Sequence, residues 1–174
     1  MIGGFGASDF WPLQLVAESV PGEIAKMNEL KLQIDKDMNR ASDYWPVEIF
    51  IDGISLIDLV TTIEKPYAVA EGAPQIAGSY ASLPLSTARS PSRHLLGSPL
   101  PIFSHQDKVA ILMCECGCEG CWDFVCKITF LEDTVIWSDF EQVHRDWDYA
   151  ELGAFVFNRE CYECEFEWVS THRE

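Results

Sequence analysis

Residues 108–140 read KVAILMCECGCEGCWDFVCKITFLEDTVIWSDF and join the clearest strand signals in the chain to its densest group of cysteines. The apolar run over 108–113 predicts a buried strand that leads directly into the cysteines. Apolar residues then alternate with other residues over 124–130 and resume after a polar turn at 132–133. This pattern predicts a β-hairpin, so the cysteines connect a buried strand to a hairpin.

Two further strands are predicted upstream of this stretch. In MNELKLQIDKD, residues 27–37, Leu30, Leu32 and Ile34 alternate with polar residues, which is typical of a half-buried strand. A helix over 23–37 is the competing interpretation, because the same residues also fit a helical wheel. The second stretch, YWPVEIFIDG at 44–53, alternates in the same way and ends in an Asp-Gly turn.

Two helices are predicted, one before and one after the cysteine-rich stretch. The apolar residues of ISLIDLVTTIEK, residues 54–65, have helical spacing, with Ser55 as the expected N-cap and Asp58 completing a capping box. Pro66 is expected to end this helix. Near the C-terminus, a short strand is expected to lead into a helix from about Asn158.

The chain is predicted to form a single α+β domain, with a mixed or antiparallel sheet, a C-terminal hairpin and two or three helices. Strands and helices do not alternate regularly, and 174 residues suffice for one core. Residues 1–26 are expected to be an appended segment and 27–174 the domain. Within it, residues 71–107 are rich in Pro, Gly, Ser and Ala and are predicted to form a long irregular loop.

The formal net charge of −16 restricts the classes of partner. Such a surface repels nucleic acid and anionic lipid and favours a basic protein. The sequence contains no apolar run of membrane-spanning length and no signal-peptide pattern, so a cytoplasmic location without membrane attachment is expected. An oligomeric state is not indicated.

The crowded cysteines suit a metal site better than a disulfide framework in a reducing compartment. Zinc prefers four thiolate or imidazole ligands, and Gly117 and Gly120 supply the turns that closely spaced ligands need. Two arrangements fit the spacing. One pairs two CxxC units, and the other joins a three-cysteine knuckle to a distant histidine. The residues concerned are Cys118, Cys121, Cys161 and Cys164 for the first, and Cys114, Cys116, Cys121 and His144 for the second.

The segments CECGCEGCW, VIWSDFEQVHRDWDY and GAFVFNRECYE resemble a family of small bacterial proteins that carry a CxCG, GCW and FEQxHR…WDY pattern. The resemblance covers roughly residues 27–163. It implies that Cys114, Cys116, Cys121 and His144 are the recurrent candidates for metal ligands, and it implies no activity.

Two functions from different classes follow as hypotheses. The favoured one is a binding or interaction module with a structural zinc site, such as an inhibitor or immunity-type protein for a basic partner. The alternative is a hydrolytic or thiol-dependent enzyme in which His144 acts with Asp146 or a cysteine beneath the 71–107 loop. An enzyme is the less favoured of the two, because the common hydrolase, metalloprotease and nucleotide-binding motifs are missing from the sequence.

Overall fold

The computed structural model describes residues 27–36, 45–118 and 120–171. Nine strands form one sheet in the order β1-β2-β4-β6-β7-β8-β9, with β3 beside β2 and β5 beside β6, and every strand pair is antiparallel. The predicted α+β class is therefore confirmed. The strands are β1 (Leu30–Ile34), β2 (Pro46–Ile51), β3 (Ile54–Ser55), β4 (Tyr80–Pro84), β5 (Ser104–His105), β6 (Lys108–Cys114), β7 (Phe124–Phe130), β8 (Thr134–Gln142) and β9 (Phe155–Asn158). The helices are α1 (Leu56–Ala70), α2 (Leu85–Ala88) and α3 (Arg159–Thr171).

The predicted strands upstream form as expected. Over 30–34 the chain is strand β1, so the competing helix is wrong for these residues. Strand β2 buries every second residue, beginning with Val47. Asp52 and Gly53 both have positive φ, 51° and 81°, as a two-residue hairpin turn requires.

The sheet curls until its two outermost strands meet. Asn28, just before β1, donates its backbone N–H to the Val156 carbonyl in β9 at 2.7 Å, and its side-chain oxygen accepts the Val156 N–H at 2.9 Å. Helix α3 stabilises the same junction of β1 and β9, because its Glu165 forms an ion pair with Lys31 of β1 at 2.7 Å. The C-terminal helix therefore packs at the junction of β1 and β9, several strands away from β6.

Helix α1 packs against β2 and β3 and continues through Pro66 to Ala70, so the predicted end at the proline is wrong. A proline costs a helix one backbone hydrogen bond. Ala68 is fully buried beyond it and Tyr67 stacks on Trp147, and this packing offsets the loss. Ser55 occupies the N-cap position but makes no side-chain capping bond, so the predicted capping box does not form.

The 71–107 segment contributes to the sheet, which corrects the expectation of a loop over its whole length. It contains β4, which lies between β2 and β6, as well as α2 and β5. The remainder follows an irregular path. Proline-, glycine- and serine-rich composition concealed a strand of only five residues.

The stretch from β6 to β8 forms the centre of the fold, as its sequence predicts. Residues 109–113 of β6 are all buried, so both faces of this strand are covered, and neighbouring strands lie on both sides of it. The hairpin of β7 and β8 turns over residues 131–133. Cys114 ends β6, so the rigid centre of the sheet positions the cysteine-rich segment.

Candidate metal centre

The cysteine-rich segment leaves the sheet at Cys114, which lies opposite Tyr80 of β4. The chain then makes two tight turns. The Gly117 N–H donates to the Cys114 carbonyl at 2.9 Å, and the Cys121 N–H donates to the Cys118 carbonyl at 3.4 Å. Gly117 has a φ of 78° in the first turn, a conformation that a side chain would strain. The turns fold the segment back so that Cys121 returns to the end of β6.

Three sulfur atoms meet at this point. The Sγ atoms of Cys114, Cys116 and Cys121 all lie within 4.8 Å of one another. Zinc with tetrahedral Zn–S bonds of about 2.3 Å holds its sulfurs about 3.8 Å apart. The three thiols therefore need to move by no more than about 1 Å to hold an ion.

The close thiols share their protons unequally. Hydrogen bonds, first with the Cys114 side chain and then with the Cys118 backbone, lower the pKa of Cys116 to about 7. The contacts with Cys114 and Cys116 raise the pKa of Cys121 to about 12, and burial raises that of Cys114. Cys116 is thus the first thiolate of the group. A metal ion would have to displace the remaining protons, because only thiolates are ligands.

His144 returns to this segment along the β7–β8 hairpin but is not part of the close group. Its Nε2 lies 3.2 Å from the Gly120 carbonyl, and its ring packs near Trp122 with centroids 6.4 Å apart. The set of mutually close ligand atoms found in the described residues consists of the three cysteines alone. His144 as the fourth ligand remains a prediction.

The remaining cysteines occupy different environments. Cys118 is exposed and contacts Cys116, whereas Cys126 is fully buried in β7, where burial raises its pKa. Cys161 and Cys164 are exposed on α3, at the far edge of the sheet. The paired CxxC arrangement is not assembled among the described residues. The topology explains this, because β7 and β8 separate the strand before the cluster from the strand before α3.

The His144–Asp146 pair of the predicted enzyme is not assembled. His144 and Asp146 are both exposed, and they share no hydrogen bond or ion pair in the part of the chain that the structure describes. His94 of the 71–107 segment is buried in the core, where its Nδ1 accepts the Leu100 N–H at 3.1 Å and its Nε2 lies 2.9 Å from the Ala110 carbonyl. Burial lowers its pKa. His94 is therefore a core histidine and does not face His144.

A group of aromatic and charged side chains lies beside the three close cysteines and forms a wall that the sequence did not reveal. It consists of Trp122, Trp147, Arg145 and Glu71. The Arg145 guanidinium lies 4.7 Å from the centre of the Trp122 ring and 5.9 Å from that of Trp147, and its Nε lies 3.3 Å from a Glu71 carboxylate oxygen. Trp147 is largely buried and donates to Glu71 at 2.7 Å. A cavity of about 210 Å³ separates this wall from the three cysteines.

A second group of polar side chains lies in the core, next to the three close cysteines, because Tyr80 of this group lies opposite Cys114. Glu64 of α1 is fully buried, and its carboxylate accepts hydrogen bonds from the Tyr80 hydroxyl, the Tyr149 hydroxyl at 2.8 Å and the Gly78 N–H at 2.8 Å. The sequence indicated that Glu64 is buried, because its spacing places it among the residues on the buried side of α1. The buried residues on that side are Leu56, Val60, Glu64 and Ala68.

No protein-family model, curated protein or solved structure matches this chain. Among the described residues, none of the helices has both the length and the apolar composition that a membrane span requires. The three close cysteines are compatible with a bound metal.

Proposed function

We propose that the chain binds one zinc ion through Cys114, Cys116 and Cys121, and that this ion has a structural role. The observation that carries the proposal is the convergence of three Sγ atoms within 4.8 Å at the end of a buried strand. Thiolates select soft or borderline ions, and zinc is the one that most often holds short-spaced cysteines together. The ion would connect the end of β6 to the start of β7.

The structural role is supported by where the ligands lie. Cys114 belongs to the rigid sheet, whereas Cys116 and Cys121 belong to an exposed segment with a single short turn on each side of Cys118. Such a segment buries little apolar surface and gains most of its order from a bound ion.

The proposed biological role is that of an interaction module for a basic protein, of the inhibitor or immunity type, acting in the cytoplasm. The net charge of −16 supports this role. Arg159, which pairs with Glu163 at 2.9 Å, lines a cavity of about 470 Å³ between the β7–β8 turn and α3, and the other charged groups that line it are acidic side chains. They are Glu132, Asp133, Glu160, Glu163 and Glu167.

Metal analysis of the purified chain tests the zinc site. We expect about one equivalent of zinc in protein prepared without chelator, and less than about half an equivalent would contradict the proposal. Cys116→Ser should lose the ion. Cys161→Ser is the matched control, since it removes an exposed thiol from α3 and should keep the zinc.

Charge reversal tests the partner surface. Binding of a lysine-rich peptide would be measured by calorimetry at low and high salt, because surface electrostatics weaken as salt rises. The double variant Glu160→Lys and Glu167→Lys should bind more weakly than Asp58→Lys with Glu151→Lys, which has the same net charge. Equal losses would mean that net charge alone attracts the peptide and that α3 is not the partner surface.

A further inference from the structure

We propose that Cys118 is the fourth ligand of this metal centre, which makes it a closed site of four thiolates supplied by residues 114–121 alone. The inference rests on the proposed function, since it assumes that the other three cysteines bind the ion. It names the residue that completes the site, and it separates a closed structural centre from an open one that could bind substrate.

The two turns place Cys118 at the junction between the other ligands. The first turn closes from Cys114 to Gly117, and the second closes from Cys118 to Cys121. Cys118 therefore follows the first turn directly and is the first residue of the second.

Cys118 already contacts the cluster. Both its backbone N–H and its thiol hydrogen-bond with the Cys116 side chain. Its Sγ is outside the set of three that lie within 4.8 Å of one another, so coordination requires the thiol to turn toward Cys114 and Cys121. The side chain is exposed, and rotation about one bond in a surface segment costs little.

His144 is the less suitable fourth ligand. Its Nε2 lies 3.2 Å from the Gly120 carbonyl, and its backbone N–H is fixed by the buried Gln142 side chain at 2.8 Å. Coordination through Nε2 would break the contact with the Gly120 carbonyl.

The surroundings are suited to the charge of a four-thiolate centre. Zinc with four thiolates carries a net charge of −2. The Cys118 amide hydrogen-bonds with Cys116, and the Arg145 guanidinium, which also pairs with Glu71, lines the same cavity as three of the sulfurs and Glu115. An amide donor and a nearby cation both stabilise thiolate charge.

X-ray absorption spectroscopy of the zinc-loaded full chain tests the inference. Four sulfur neighbours at about 2.3 Å are expected. Three sulfurs with one nitrogen or oxygen at about 2.0–2.1 Å would overturn it, because the fourth ligand would then be His144 or water. This measurement needs no variant, so it decides the question even where a substitution impairs folding.

Matched variants provide the second test. Cys118→Ser should reduce zinc affinity by about 100-fold or more, which exceeds the effect of most outer-shell changes. His144→Ala and Cys161→Ser should bind as the wild type does. Wild-type affinity in Cys118→Ser, or loss of zinc in His144→Ala, would overturn the inference while leaving the three-cysteine site intact. Absence of zinc from the wild type would instead overturn the proposed function itself.

Discussion

Tyr80 and Cys114 are register partners on β4 and β6, yet they belong to two polar clusters of opposite character. Around Tyr80, the buried carboxylate of Glu64 accepts three hydrogen bonds from protein donors. Around Cys114, three thiols are close enough to compete for the same protons. The first cluster is complete within the chain, whereas the second would become complete only with an added cation.

The difference separates structural polar groups from candidate functional ones. A buried group that is fully hydrogen-bonded contributes to a unique core and needs no ligand. Close thiols at the edge of the core gain little from one another and much from a metal ion. Changes to the core cluster should therefore affect stability, and changes to the thiols should affect metal binding.

The largest effect is expected from Glu64→Ala. The change leaves two hydroxyls and one N–H without their acceptor and opens a cavity, so the free energy of unfolding should fall by roughly 3–5 kcal/mol. Urea denaturation followed by circular dichroism measures it. Asp58→Ala removes an exposed carboxylate from the same helix and should cost less than about 1 kcal/mol. Equal losses in the two variants would mean that the core cluster contributes no special stability.

A smaller effect is expected from zinc itself. An ion that binds only the folded chain stabilises it by about 2.7 kcal/mol at 100 times its dissociation constant. Thermal unfolding with increasing zinc should therefore show a rising midpoint in the wild type and no rise in Cys116→Ser. A midpoint that rises equally in both proteins would place the bound zinc elsewhere.

Tyr149→Phe should have a smaller effect again. The change removes one donor to Glu64 but keeps the ring, whose centroid lies 5.0 Å from that of Phe124. Loss of one hydrogen bond to an ionisable group costs about 1.5 kcal/mol. Tyr67→Phe is the matched control, because its hydroxyl makes only an exposed 3.4 Å bond to the Asp148 carbonyl. Metal content should be unchanged in both variants.

Much of the fold was predictable because strands that are deeply buried carry the clearest pattern of apolar and polar residues. The alternation in β2 and the apolar run of β6 each identified a strand correctly. Pro66 and strand β4 were misjudged for a common reason. At both positions tertiary packing outweighs local preference: Ala68 is buried beyond the proline, and β4 pairs with two neighbours despite its composition.

The candidate site was predictable only in part. Spacing and glycine turns left two cysteine arrangements open, and the family resemblance singled out Cys114, Cys116 and Cys121. These three do meet, because ligands that are close in sequence need only local geometry to do so. No sequence pattern specified how far α3 lies from β6, so the paired CxxC arrangement could not be rejected in advance. The contacts of Arg145 with Glu71 also depend on the tertiary fold and left no local signal.

The smallest expected effect is on the pH dependence of stability. Burial raises the pKa of Glu64 above its ordinary 4.5, and the three hydrogen bonds offset part of this rise. Between pH 4.5 and the raised value the folded chain binds more protons than the unfolded chain, so the contribution of Glu64 is fully present below pH 4.5 and is lost as the pH rises through the folded pKa.

Denaturation of the wild type and of Glu64→Gln over this window measures the effect, since glutamine does not titrate. The wild type should lose stability relative to the variant as the pH rises from 4.5. Tyr149→Phe should extend the loss to higher pH, because it removes a donor that favours the carboxylate. A difference that is constant with pH, or that grows in favour of the wild type, would mean that the hydrogen bonds outweigh burial at Glu64.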